Sequence, residues 1–175
     1  MRDFLDICST ISDKGTEYIK NGKKISMVFF GISPGNKTRI MPSYTFGVDN
    51  FKDFLKNCFV AGAVFKCEAI ILVGEAQYFG EETSPSSIEL VVKLYTEKTR
   101  KVMRTKIEKG NTIRNIEDQK SGSLDFEMFR NVNLFKTELN KIKGEEAIQT
   151  SSAEKGLLNF AKQYEVNLDE WLVKP

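Results

Sequence analysis

The stretch SIELVVKLYT, residues 87–96, decides the fold class. Ile88, Leu90, Val92 and Leu94 alternate with Glu89, Val91, Lys93 and Tyr95. Successive side chains of an extended chain point to opposite faces, so this alternation predicts a strand with one face buried. The period continues through Lys101–Glu108 and Thr112–Glu117, which are joined around Lys109-Gly110-Asn111, a good hairpin signal. Ser123–Phe129 reads as a further strand, and residues 87–130 therefore predict a β-meander.

Toward the N-terminus the period changes. Phe51, Phe54, Leu55, Cys58, Phe59 and Ala63 share one face at helical spacing, and Asp49 can cap, which predicts a buried helix over 50–66. Apolar runs flank it: Lys24–Phe30, continuous enough to suggest a strand covered on both faces, and Glu68–Phe79, a strand with the apolar core Ala-Ile-Ile-Leu-Val. Strand, helix and strand form a βαβ-like unit, with a right-handed crossover if the strands are parallel. Residues 3–20 read as a helix ended by Asn21-Gly22; Gly15 costs it about 1 kcal/mol relative to Ala and allows a break.

At the other end, residues 131–148 carry mixed signals. Ser151-x-x-Glu154 is a capping box that opens an amphipathic helix, and the tail docks Leu168, Trp171 and Leu172 on the body. The expectation is a single α+β domain over 1–175. Its sheet is mixed and mostly antiparallel, a βαβ-like unit followed by the meander, with helices near both termini.

Composition narrows function mainly by exclusion. The chain has no histidine, which removes histidine bases, Ser-His and Cys-His nucleophiles and the common zinc sites. Cys8, Cys58 and Cys67 are not spaced as CxxC and read as reduced thiols. No apolar run approaches the ~18 residues of a membrane span, and acids interrupt the N-terminus, so the expected location is cytoplasmic with no membrane partner. No catalytic residue, metal or cofactor is assigned.

The segment FFGISPGNKT, residues 29–38, resembles a phosphate loop in spacing, since Lys37-Thr38 follow Gly31 at the right distance. Asn36 occupies the place of the second glycine, and Pro42 precludes the helix whose N-terminus would face phosphates. A simple connecting loop over 31–47, with a short extended piece at Arg39–Met41, is the better reading.

Three surfaces remain. The loops at 31–47 and 80–86 border the ends of the two central strands, where ligand sites in such sheets often lie. Asn36, Lys37, Arg39, Tyr44, Glu75 and Tyr78 are the candidate ligand-binding residues there. Glu75 follows a buried strand, so it is either a strand-end residue or, with Glu81, Glu82 or Asp118, part of a carboxylate site for a divalent-metal hydrolase. Asp118-Gln119-Lys120 matches a short metal-nuclease pattern but sits in a turn-like segment.

The third surface is basic. Between Lys98 and Arg114 seven basic residues face Glu108 alone, a net +6 in a chain of net +2. Arg100, Arg104, Lys106 and Arg114 would meet a phosphate backbone if the hairpin binds nucleic acid; otherwise the hairpin is a solvated edge guarded by lysines. The leading expectation is a small intracellular non-catalytic binding protein that contacts a protein or a small ligand. Nucleic-acid association through 98–114 comes second, and a metal hydrolase around Glu75 third.

Overall fold

A computed structural model of the protein describes residues 3–46, 51–81, 86–96, 99–109, 111–118 and 150–174. Among them are four helices: α1 (Phe4–Lys20), α2 (Phe51–Val64), α3 (Thr150–Ala161) and α4 (Leu168–Val173). The strands are β1 (Val28–Ile32), β2 (Lys37–Pro42), β3 (Ala69–Glu75), β4 (Ile88–Thr96), β5 (Arg100–Glu108), β6 (Asn111–Asp118) and β7 (Glu165–Asn167). They form one sheet in the order β6-β5-β4-β3-β1-β2-β7, and every neighbouring pair is antiparallel. The protein is α+β, with helices near both termini.

Strand parity builds two cores. Ile70 and Leu72 face the α2 side with Phe54, Cys58 and Phe59, whereas Ala69, Ile71 and Val73 face the α1 side with Ile7, Cys8 and Ile11. Covering both faces explains why β3 is apolar almost throughout. Phe54 is fully buried and meets Phe46 edge to face at 5.4 Å, a geometry that adds to plain burial.

Helix α1 is capped by Asp3, whose side chain accepts from the Leu5 amide, and it runs unbroken through Gly15. A methyl group at Gly15 would lie 2.7 Å from Leu90 Cδ2, so the glycine lets the helix lie close on β4. Close packing offsets the propensity cost. One strand over, Ser12 and Thr105 of β5 share a buried 2.8 Å hydrogen bond.

The βαβ expectation needs one correction. β1 and β3 are antiparallel, because the supposed loop at 31–47 contains a strand, β2, that pairs back on β1. β2 and β3 both run opposite to β1, which lies between them, so α2 joins two strands of like direction across an intervening one. Residues 33–36 are the hairpin turn: Gly35 and Asn36 take φ of 77° and 64°, and the Ser33 amide donates to the Lys37 carbonyl at 2.8 Å. Residues 29–38 are therefore a β-hairpin, with Lys37 and Thr38 on a strand.

β1 also starts at Val28, later than expected, which leaves residues 23–27 outside the sheet. At the C-terminus Leu168 is buried and Trp171 packs edge-on against Phe30 at 5.2 Å. The Asp49 cap, the Ser123–Phe129 strand and segment 131–148 lie outside the described residues. Among the described residues no helix is long and apolar enough to cross a membrane.

Candidate ligand cleft

Antiparallel pairing sorts the expected site residues into separate places. Pro42, Val28 and Val73 lie abreast, so β2 and β3 end at the same edge of the sheet. Tyr44 and Glu75 sit at that edge, and the hairpin turn with Asn36 and Lys37 lies at the opposite one.

Asn36, Lys37 and Arg39 hold the C-terminal segment. Asn36 Nδ2 donates to Asp169, and Lys37 Nζ stands 3.7 Å from Glu165. Arg39 is only 5 % exposed; it donates to Glu165 Oε1 at 2.9 Å and to Ser33 Oγ at 3.2 Å, and its guanidinium lies over the Phe65 ring. Arg39 and Glu165 are also register partners across β2 and β7. Both terminal nitrogens are thus engaged within the protein, while the buried Nε has no hydrogen-bond partner among the described residues, so Arg39 serves to tie β2 to the C-terminal segment. Tyr78 lies on the turn after β3 and lines neither cavity described next.

Glu75 is 5 % exposed, and its carboxylate accepts from Gln77 Nε2 at 3.2 Å. It borders a cavity of about 310 Å³ together with Lys23, Lys24 and Glu89. Its imagined acidic partners go elsewhere: Glu81 takes two hydrogen bonds from Arg104, and Asp118 pairs with Lys101 on strands beyond β4. Glu82, Gln119 and Lys120 lie outside the described residues. Among the described residues no three Cys, Asp or Glu side chains gather to hold a metal.

The basic hairpin is internally paired to a large extent. Arg104 bridges Glu81 and Glu89, the latter at 2.8 Å. Its hydrogen bond holds the Glu81 carboxyl below the usual carboxylate range. Arg114 binds Asp13 at 2.7 Å, Ser9 at 3.2 Å and Thr105 at 3.0 Å, tying the outer strand to α1. Lys106 stands 3.7 Å from Glu108, and Arg100 lies 5.0 Å over the Tyr95 ring.

The larger opening lies on the α1 side of the sheet. It has a volume of about 450 Å³ and is bounded by α1, residues 24–26, the β1–β2 hairpin and Trp171. That volume falls in the range of small-ligand sites, roughly 300–1,000 Å³. Val28, Phe30, Ile40 and Val73 form an apolar floor, since their parity points them away from α2. Tyr18 and Tyr44 stand at the rim, 46 % and 75 % exposed, so both rings offer apolar area to an occupant.

Two lysines and no carboxylate line this cleft among the described residues. Lys14 Nζ donates to the Lys174 carbonyl and lies 5.2 Å over the Trp171 ring. Lys24 is exposed and has no hydrogen-bond or ion-pair partner among the described residues. Ser26 adds an exposed hydroxyl two residues along. No cysteine lines it; burial pushes the Cys8 and Cys67 thiols up to about 12, which leaves them inert at neutral pH.

Of the expected site residues only Tyr44 lines this cleft. Sequence reasoning missed Lys14, Tyr18, Lys24 and Trp171, which belong to two helices and a linker remote in the chain. A signal did exist for Tyr18 and Lys24: both flank the helix-ending Asn21-Gly22, where the chain turns back toward the sheet. Comparison with known protein families, with characterised proteins and with solved structures found no match.

Proposed function

We propose that this chain is a non-catalytic binding protein that takes a small apolar ligand in the cleft between α1, the β1–β2 hairpin and α4. One observation carries the reading: a concave opening of about 450 Å³ with an apolar floor and two part-exposed tyrosine rings at its rim. Such a concavity holds a small molecule better than the flat face used by a protein partner. Among the described residues the lining supplies no carboxylate or thiol for general-base or nucleophilic work, which favours binding over turnover.

The test uses a neutral fluorescent probe, N-phenylnaphthylamine, with two-dimensional amide spectra of the full chain. The expected result is saturable fluorescence enhancement with shifts confined to Tyr18, Ile25, Val28, Ile40 and Tyr44. A probe that binds elsewhere, or not at all, would overturn the reading.

A further inference from the structure

We infer that the ligand of this cleft is an amphipathic monocarboxylate, with its apolar body on the Val28–Phe30–Ile40 floor and its carboxylate at Lys24. This rests on the reading of the cleft as a small-ligand site. The charge pattern selects the class. The described lining holds two cations and no anion, so an anionic occupant is attracted and a cationic one is repelled.

The two lysines differ in what they can still do. Lys14 already donates to the Lys174 carbonyl and rests on Trp171, whereas Lys24 is exposed and has no partner among the described residues. One available ammonium matches one negative charge, which favours a carboxylate over a dianionic phosphate. Ser26, exposed and lining the same cleft two residues along, can donate to the second carboxylate oxygen. Hydrogen bonds to a charged oxygen are about twice as strong as neutral ones, and they fix the head end of the ligand. The aromatic rim then closes on the body: Tyr18 and Tyr44 cover apolar surface that water otherwise meets.

This assignment gives a sign that apolar burial alone cannot. Without a cation to meet it, a carboxylate binds an apolar cleft more weakly than the matching alcohol, because its charge must be desolvated. The inference reverses that order.

The experiment measures Kd by displacement of N-phenylnaphthylamine with decanoate, decanol and decyl phosphate below their aggregation concentrations. Expected is decanoate at least about threefold tighter than decanol at low salt, the scale of one partly exposed ion pair. Lys24→Gln should bring decanoate to the level of decanol or below while leaving decanol and the melting temperature unchanged. Equal or reversed affinities in the unmodified protein overturn the inference and leave the cleft reading standing. Tighter binding of decyl phosphate overturns the carboxylate assignment. If the probe binds in the cleft but none of the three compounds displaces it, the inference fails; if the probe itself does not bind there, the cleft reading fails with it.

Discussion

The 100–114 hairpin and the lip of the cleft are both basic, yet their cations are in opposite states. On the hairpin, Arg104 is held by Glu81 and Glu89, Arg114 by Asp13, and Lys101 by Asp118. At the cleft, Lys24 stands alone among the described residues. Along the chain the densities run the other way, because residues 98–114 carry net +6 and the cleft draws on two lysines ten positions apart. A count along one segment ignores acids that other elements bring to it. Asp13 comes from α1 and Glu81 from the turn after β3, and together they convert a basic ribbon into a paired surface. What can bind an anion is the unpaired cation, not the crowded one.

The comparison presumes that both regions hang on one cooperative core, and the largest expected effect tests that. Phe54→Ala removes a fully buried ring that Phe46 packs against and should cost roughly 3–5 kcal/mol, a large part of a domain's total stability. Chemical denaturation followed by probes on both sides of the sheet should show a single, earlier transition. A loss below about 1 kcal/mol would mean that α2 is not integral to the core.

Arg104→Ala comes next. It leaves Glu81 and Glu89 close together without their cation, at an expected cost of about 1–2 kcal/mol at neutral pH. The pH dependence follows from Glu81. Its carboxyl is depressed in the folded state, so its contribution is fully present above its unfolded pKa and is lost as pH falls through the folded value. The gap between the parent protein and Arg104→Ala should therefore shrink between about pH 7 and pH 3. Urea midpoints at the two pH values decide it; an unchanged gap would show that Arg104 acts through packing of its stem alone.

These pairings also mark how far the sequence can be read. The meander, α2 and both terminal helices were legible because periodicity is local and each buries a continuous face. Of β2 only Arg39–Met41 reads as extended, because Pro42 and the glycine turn at 35 look like loop residues until hairpin pairing with β1 is known. That single omission also displaced the site, since it made β1 and β3 look like parallel neighbours with their loops together. Tyr44 and Glu75 do share a sheet edge, but Asn36, Lys37 and Arg39 were drawn into a clamp on a C-terminal strand of three residues, too short to leave a periodic signal. Lys14 and Lys24 became neighbours only through the reversal at Asn21-Gly22.

A smaller effect is expected where the basic surface meets nucleic acid. If paired arginines are unavailable, generic duplex DNA and RNA should not be retained in gel shifts at about 0.15 M salt. Arg104 and Lys106 replaced together should then change nothing. Retention in the parent protein, with a log–log salt slope of about −0.9 per phosphate contact that drops by about two contacts in the double variant, would break the comparison.

The smallest expected effect is the most discriminating. Lys24→Ala should alter stability by no more than ±0.5 kcal/mol, the range of exposed substitutions that remove no partner. The segment around it is held by backbone instead: the Glu75 amide donates to the Ile25 carbonyl at 3.2 Å, and the Ser43 amide to Met27 at 2.9 Å. Those bonds survive the loss of a side chain. The cavity beside Glu75 supplies the competing possibility, because Lys24 borders it as well as the cleft. If Lys24 stabilised that buried carboxylate across the cavity, its removal would leave Glu75 with Gln77 alone and cost more than about 1 kcal/mol. Thermal and chemical denaturation of Lys24→Ala distinguish the two. A neutral result leaves the ammonium available to a ligand, and a large loss would place Lys24 with the paired cations of the hairpin and remove the contrast between the two regions.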